Sequence, residues 1–294
     1  MELLLLAQNR KDQRDRTMVT QLEKGQAFRA LHERQGAFII PNPWDIGTAR
    51  ILAHLGFEAL ATTSAGYACS VGQRDYTVGR EAVIAHVSVL ASATDLPVSA
   101  DLENGFADAP AMVAESISLT AAAGVVGGSI EDATGRAEHP IYEQAFAAER
   151  VRAAAESARA LGFPFTLTAR AENYLHGRRD LRDTIKRLQA YQEAGTDVLY
   201  APGVTSKEDI TALVSSVDRP VNVLMGIPGV SLNLAALSAM GVRRVSVGSG
   251  LARAAFSAFL RAAREMREHG TFTFAEEAAA STRDIVAMFE TGQP

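Results

Sequence analysis

QEAGTDVLYA, residues 192–201, decides the fold. A polar, helix-favouring run stops at Gly195, and a short apolar run from Val198 to Tyr200 follows at once. Glycine tolerates the left-handed backbone that closes a helix, so the stretch reads as helix, cap and strand. The same arrangement recurs in AHLGFEALATTS (53–64), AAAGVVGGSI (121–130), RALGFPFTLTA (159–169) and SAMGVRRVSVG (238–248), which makes Gly56, Gly124, Gly162 and Gly241 the corresponding caps. Repeated units of this kind, with nearly uninterrupted apolar strands, wind a parallel sheet covered on both faces.

Outward from that stretch, strands are expected at about 37–40, 58–63, 97–101, 125–130, 165–169, 197–201, 221–224 and 243–247. Helices fit between them at about 45–55, 79–95, 108–123, 143–161, 180–194, 206–216 and 231–240, with another over 250–268 and a tail helix over 274–290. Eight strands and eight helices in this length favour a closed (β/α)8 barrel of the TIM type over an open sheet. No linker interrupts the pattern, so 18–294 reads as one α/β barrel domain with a C-terminal helical tail. Residues 1–17 read as a solvated extension, and Met18 is as good a start as Met1. The four leucines of MELLLL are too few for a signal-peptide core or a membrane span.

Hydrophobic residues make up 47% and charged residues 21%, ordinary values for a soluble globular enzyme. A net charge of −5 argues against nucleic acid or an anionic membrane as the partner. The single cysteine, Cys69, excludes an internal disulfide and any multi-cysteine metal site, and fits a reducing cytoplasm.

Barrels of this kind gather their chemistry at the C-terminal ends of the strands. The polar residues there are Asn42 and Asp45, Thr63 and Ser64, Asp101 and Glu103, Glu131 and Asp132, Arg170 with Glu172 and Asn173, and Asn222. In VSADLENGF (98–106) two carboxylates emerge from one apolar strand, and in SIEDATG two more follow the next. Converging like charges are costly unless a cation lies among them. Mg²⁺ suits such a set, because it takes oxygen ligands, keeps several waters and needs only one or two direct carboxylates. The bland alternative is that acids such as Asp108 and Asp132 cap helices or pair with local bases. Arg170, in LTARAENYLHGR (167–178), offers a planar fork to a substrate carboxylate or phosphonate, or an ion pair to Glu131 or Glu172. The small residues of TTSAGYACSVG (62–72) could present N–H groups to an oxyanion. VGSGLARA (247–254) opens a helix where anions often bind, but it is no dinucleotide fingerprint, since Arg253 stands at the third glycine position. Cys69 has no histidine pattern near it and reads as an inert, buried thiol. Neither His54, His86 nor His269 has metal spacing.

Taken together, TSAG after the second strand, DLENG after the third, SIEDA after the fourth and TARAENYL after the fifth resemble the isocitrate lyase / phosphoenolpyruvate mutase superfamily, over about residues 36–265. The resemblance implies Mg²⁺, with Mn²⁺ as a substitute, held by Asp101 as principal ligand and by Glu103 and Glu131 through metal-bound waters. It implies that Ser64, Ala65 and Gly66 hold a substrate carboxylate and 2-oxo oxygen, and that Arg170 clamps the substrate. Asp75 matches a loop aspartate of the family and joins Arg170 and Glu131 as a catalytic candidate; Asn222 joins the substrate-binding set. Family members stabilise a pyruvate enolate on the metal as a C–C or P–C bond breaks. They are commonly dimers or tetramers that exchange the last barrel helix, here about 250–268.

The departures narrow the reaction. The lyase branch carries a K-[KR]-C-G-H loop after the fourth strand, where this chain reads EDATGRAEHPIYEQ with neither cysteine nor lysine. The mutase branch has a histidine after the sixth strand, where this chain has Pro202. Glu103 replaces the second aspartate of D-x-D. The expectation is therefore decarboxylation of a small 2-oxo dicarboxylate such as oxaloacetate, with Tyr67, Tyr200 or His139 as proton-donor candidates. The alternatives are a C–C lyase on a methylisocitrate- or substituted-malate-like acid, a P–C mutase or hydrolase, and a non-catalytic 2-oxo acid binder.

Overall fold

The computed structural model describes residues 19–278 and 282–290. The expected extension over 1–17 and the alternative start at Met18 lie outside the described residues. The strands are β1 (Phe38–Ile40), β2 (Leu60–Ala61), β3 (Val98–Asp101), β4 (Gly127–Glu131), β5 (Thr166–Arg170), β6 (Val198–Tyr200), β7 (Val221–Leu224) and β8 (Arg244–Ser246). They form one sheet in the order β1-β8-β7-β6-β5-β4-β3-β2, with parallel pairing throughout. Beyond the paired registers, the N–H of Ala61 donates to the carbonyl of Pro41 at 3.0 Å, which joins the two ends of the sheet. The molecule is a (β/α)8 barrel.

Twelve helices are described: α1 (Gln21–Glu33), α2 (Ile46–His54), α3 (Ser64–Ser70), α4 (Arg80–Ser92), α5 (Pro110–Ala122), α6 (Gln144–Arg159), α7 (Leu181–Ala194), α8 (Lys207–Ser215), α9 (Leu234–Ala239), α10 (Gly250–His269), α11 (Phe274–Glu277) and α12 (Thr282–Glu290). Side-chain oxygens of Asp45, Asp180, Ser206 and Asn233 accept N–H groups in the first turns of α2, α7, α8 and α9. Gly56, Gly124, Gly195 and Gly241 take φ of +83°, +97°, +104° and +88°, as helix-closing glycines should. Gly162 is the exception: α6 ends in right-handed geometry at Ala160, and Gly162 is not among the positive-φ residues. The expected single tail helix is described as two pieces, α11 and α12, with 279–281 outside the described residues.

Two helices were not expected from the sequence. α3 occupies the small-residue stretch read as a loop, capped by Thr63. α1 precedes the barrel and carries a capping box between Thr20 and Glu23. Its Phe28 is fully buried and packs with Leu31, Phe38, Ile40, Ala59 and Val126 in a small apolar cluster apart from the main core. The approach is so close that a Cβ on Gly127 would lie 2.8 Å from the Phe28 ring, so β4 needs glycine there.

The two faces of the strands differ: the outer one is apolar, and the inner one mixes polar residues with Ile40, Ala61, Ala100 and Leu224. Leu167, Ala169, Ile130, Val223 and Val245 belong to the main core beneath the surrounding helices. Their alternating neighbours Ser129, Arg170, Asn222, Arg244 and Ser246 line a cavity inside the barrel. That polar interior departs from the continuous apolar strands expected from the sequence, and it is what makes room for a site.

Candidate active site

A cavity of about 210 Å³ opens at the C-terminal end of the strands. Of the expected site residues, Ser64, Ala65, Asp75, Asp101, Arg170 and Asn222 line it; Gly66, Glu103 and Glu131 stand outside its lining. Asp101, Glu131, Arg170 and Asn222 reach their places by strand register, and Ser64 and Ala65 by opening α3. Asp101 ends β3, and Glu131 and Arg170 are aligned partners at the ends of β4 and β5.

Arg170 organises the mouth. Its Nη1 lies 3.0 Å from Asp101 Oδ1, its Nη2 3.1 Å from Glu131 Oε2, and its Nε 2.8 Å from Glu172 Oε1. The guanidinium also lies over the Tyr200 ring, 5.1 Å from the centroid. Burial opposes its charge, but Glu131, Glu172 and Asp101 outweigh that and hold its pKa well above the ordinary arginine value. Burial also lifts the carboxyls of Glu131 and Glu172 above the usual range, with Arg170 opposing the rise. The ion pairs anticipated with Glu131 and Glu172 both form, and Asp101 adds a third.

Asp101 is held from the other side by Ser64, whose N–H and hydroxyl both donate to Oδ2 at 3.1 Å. The Asp101 N–H donates to Thr62 Oγ1 at 2.8 Å. Tyr76, on the loop after α3, donates its hydroxyl to Glu131. Asp75 lines the cavity, its carboxyl raised by desolvation and then by Asp101. Glu103 is buried in a turn where its φ is +49° and that of Phe106 is +63°; desolvation, then Asp101 and Asp75, push its carboxyl up to about 8. This turn is held from outside by Arg150, which donates to the carbonyls of Asn104, Ala107 and Asp108 and to that of Glu131. Sequence reasoning missed Arg150 and Tyr76, since each lies far along the chain from what it holds.

Other expectations need correcting. Gly66 does not face the cavity: its N–H bonds the Thr63 cap, and a Cβ there would lie 2.6 Å from Thr63 Cγ2. Asp108 and Asp132 follow the pairing half of the alternative reading and not the capping half. Asp108 pairs with Arg136 at 2.9 Å, and Asp132 accepts Arg187 Nη1 at 3.1 Å and the Tyr191 hydroxyl at 2.6 Å. The Glu131-Asp132 pair thus divides, one acid toward the mouth and the other toward α7. At the start of α10, the N–H groups of Val247 and Gly248 are occupied by Asn42 Oδ1 at 3.0 and 2.9 Å. Cys69 is exposed rather than buried, and is not among the cavity residues.

Five acids, Asp75, Asp101, Glu103, Glu131 and Glu172, therefore share the field of one guanidinium. Desolvation raises four of them, and Arg170, which opposes the rise in each, does not cancel it. Among the described residues, no three His, Cys, Asp or Glu side chains form a direct metal cage. The donor set fits a hard, water-rich cation that uses one or two carboxylates directly, and not a closed zinc-type site.

The sequence pattern of the family described as phosphoenolpyruvate phosphomutase matches residues 28–267, from within α1 into α10. The chain belongs to that family. Within the wider isocitrate lyase / phosphoenolpyruvate mutase superfamily, it is similar to a Burkholderia cenocepacia J2315 protein provisionally described as a lyase/mutase. The two are 63% identical with a TM-score of 0.89, covering 93% of this chain and 98% of that one. An uncharacterised Mycobacterium tuberculosis protein is 32% identical over 244 residues, 82% of this chain and 89% of the relative. The oxaloacetate decarboxylase of Chromohalobacter salexigens is 28% identical over 252 residues, 82% of this chain and 84% of the relative.

As a member of a family of lyases and mutases, the chain is an enzyme by kinship, and its proton-handling groups become the point of interest. Of the three donors considered, Tyr200 lines the cavity and is 8% exposed. Tyr67 stacks on His86 with ring centroids 3.7 Å apart, and His139 is exposed on the loop after β4; neither lines the cavity.

Proposed function

We propose that this family member is a Mg²⁺-dependent lyase of small 2-oxo dicarboxylates, with oxaloacetate-type decarboxylation as its reaction. The observation that carries the reading is the excess of carboxylates around Arg170 at the mouth of a small cavity. A cavity of about 210 Å³ suits a compact acid rather than a large cofactor or a polymer. Asp101 would hold the cation, with Glu103 and Glu131 behind it. The ion, or Mn²⁺ in its place, would neutralise negative charge developing on the 2-oxo oxygen.

The chain's own residues do the rest. Arg170 and Ser64 fix the Asp101 carboxylate from two sides, so its orientation is set before substrate arrives. In decarboxylation the bond from C3 to the leaving carboxylate breaks, its electron pair moves toward the 2-oxo group, and C3 then takes up a proton to give pyruvate. That sequence needs no cysteine acid/base, in keeping with an exposed Cys69 that does not line the cavity. Burial raises the Tyr200 phenol to about 12, so it keeps its proton at neutral pH and is our candidate to return one to C3. The similarity to an oxaloacetate decarboxylase supports this choice. A cytoplasmic location follows from the same reading, with a free thiol at Cys69 suited to a reducing compartment.

The deciding experiment is pyruvate release from oxaloacetate, corrected for the spontaneous metal-catalysed rate, with Mg²⁺ and then with chelator. Chelator-sensitive turnover above background is expected. Its absence would remove decarboxylation and direct the search to other C–C lyase substrates.

We also propose that copies associate through α10. This helix has one buried residue, Ala252, in its 20, while Leu251, Phe259, Leu260 and Met266 are exposed. An apolar surface of that kind suits a second copy in a dimer or tetramer formed by helix exchange.

A further inference from the structure

Arg244 begins β8, and its side chain points into the barrel, where it is 5% exposed and lines the same cavity as Arg170. Its partners are all neutral. Nε donates to Asn222 Oδ1 at 2.9 Å, Nη2 to Thr168 Oγ1 at 2.9 Å, and Nη1 lies 3.4 Å from His32 Nε2. His32 Nδ1 lies 2.8 Å from the Phe28 carbonyl, which can only accept, so Nδ1 carries the proton and Nε2 is left as an acceptor. Burial first, then Arg244, lowers His32 to about 3, so the imidazole supplies no charge of its own.

Three of the five guanidinium N–H groups are thereby used. Among the described residues, no carboxylate lies within ion-pair distance of Arg244. The other buried arginines are treated differently. Arg170 has three carboxylates and Arg187 has two, Asp132 and Asp183. Arg150 donates to four backbone carbonyls and is not among the cavity residues. A buried guanidinium without a counter-ion is costly, and a cavity beside it is where the missing anion would go.

The geometry also gives the anion's place relative to the mouth. Thr168 precedes Arg170 by two residues on the same face of β5, so the group touching Thr168 lies one interior layer deeper, roughly 7 Å along the strand. We infer that Arg244 is the specificity-determining residue for a second anionic group on the substrate, so that the site takes a compact dicarboxylate lengthwise, one end at Asp101 and Arg170 and the other at Arg244. This deepens the 2-oxo dicarboxylate reading and rests on it for the ligand's first end. It does not depend on which bond is broken.

The test uses two stable four-carbon ligands that differ only at the far end, malate with a carboxylate and 2-hydroxybutyrate with a methyl. Each is titrated calorimetrically into the full chain with Mg²⁺. Wild type should prefer malate by tenfold or more. Arg244→Gln should erase that preference while changing 2-hydroxybutyrate affinity less than twofold. A second variant guards against misfolding. Thr168→Asp places a carboxylate beside the guanidinium, and should melt no lower than wild type while losing the malate preference. Equal affinity of wild type for the two ligands, or a malate preference that survives in the folded variants, would overturn the inference. The decarboxylase assay is separate: malate preference lost on substitution, with no pyruvate from oxaloacetate, would leave Arg244's role standing and remove only the reaction.

Discussion

Asp101 carries the proposed chemistry because of what holds it. Two donors from Ser64 and one from Arg170 fix its oxygens, and its own N–H is tied to Thr62. Asp101→Ala should abolish Mg²⁺-dependent turnover of oxaloacetate while leaving far-UV circular dichroism unchanged; full activity in that variant would remove Asp101 from the site. His32 makes a different kind of prediction. Its pKa falls from 6.5 to about 3 on folding, chiefly through burial. Between those values the unfolded chain binds a proton that the folded chain refuses, so stability is full above the unfolded pKa and is lost as pH falls. The loss is about 1.4 kcal/mol per pH unit across that window. His32→Gln, which keeps an acceptor for Arg244, should flatten the urea-midpoint curve between pH 6 and 4 relative to wild type. Parallel curves would refute the assignment.

Elements were legible in the sequence wherever a chain-local rule placed them. The strand positions came from apolar runs between a glycine and a polar cluster, and Asp101, Glu131 and Arg170 were found because they end such runs. What escaped depends on partners remote in sequence. α1 carries few apolar residues, and only its packing on β1 and β4 shows that Phe28 plugs the barrel. α3 is seven small or polar residues whose helix is recognisable from the Thr63 cap. Arg244 opens a strand instead of ending one, and beside Arg243 it looks like a solvated pair. The in-phase polar positions Asn222 and Ser246 were the available signal. Phe28→Ala should cost about 3–5 kcal/mol, the usual range for emptying a buried aromatic site, measured by urea denaturation. A loss below 1 kcal/mol would mean that α1 is not the plug.

At the level of the whole molecule, the fold separates two kinds of surface. The main core fills the layer between helices and sheet, while α10 presents Phe259 and Leu260 outward at 67% and 49% exposure. The double substitution Phe259→Glu, Leu260→Glu should convert a dimer or tetramer to monomer in light scattering coupled to size exclusion. A wild type already monomeric at micromolar concentration would exclude association through this helix.

The barrel wall is not uniformly laced. β4 and β5 share five aligned residue pairs, whereas the ends of the sheet meet through one backbone bond, Ala61 to Pro41, and one side-chain bond, from Asn42 Nδ2 to the Thr62 carbonyl. A thinly stitched seam gives way first, and this one adjoins the chain that grips Asp101, through Thr62 and Ser64. Breathing of the hoop would therefore loosen the Asp101 side of the rim before the strands that carry Glu131 and Arg170, giving bulky ligands a wider way in than the resting mouth allows. Amide hydrogen exchange should register this as earlier exchange at Ala61 than at Leu167, and equal protection at the two would mean the ring opens as one piece.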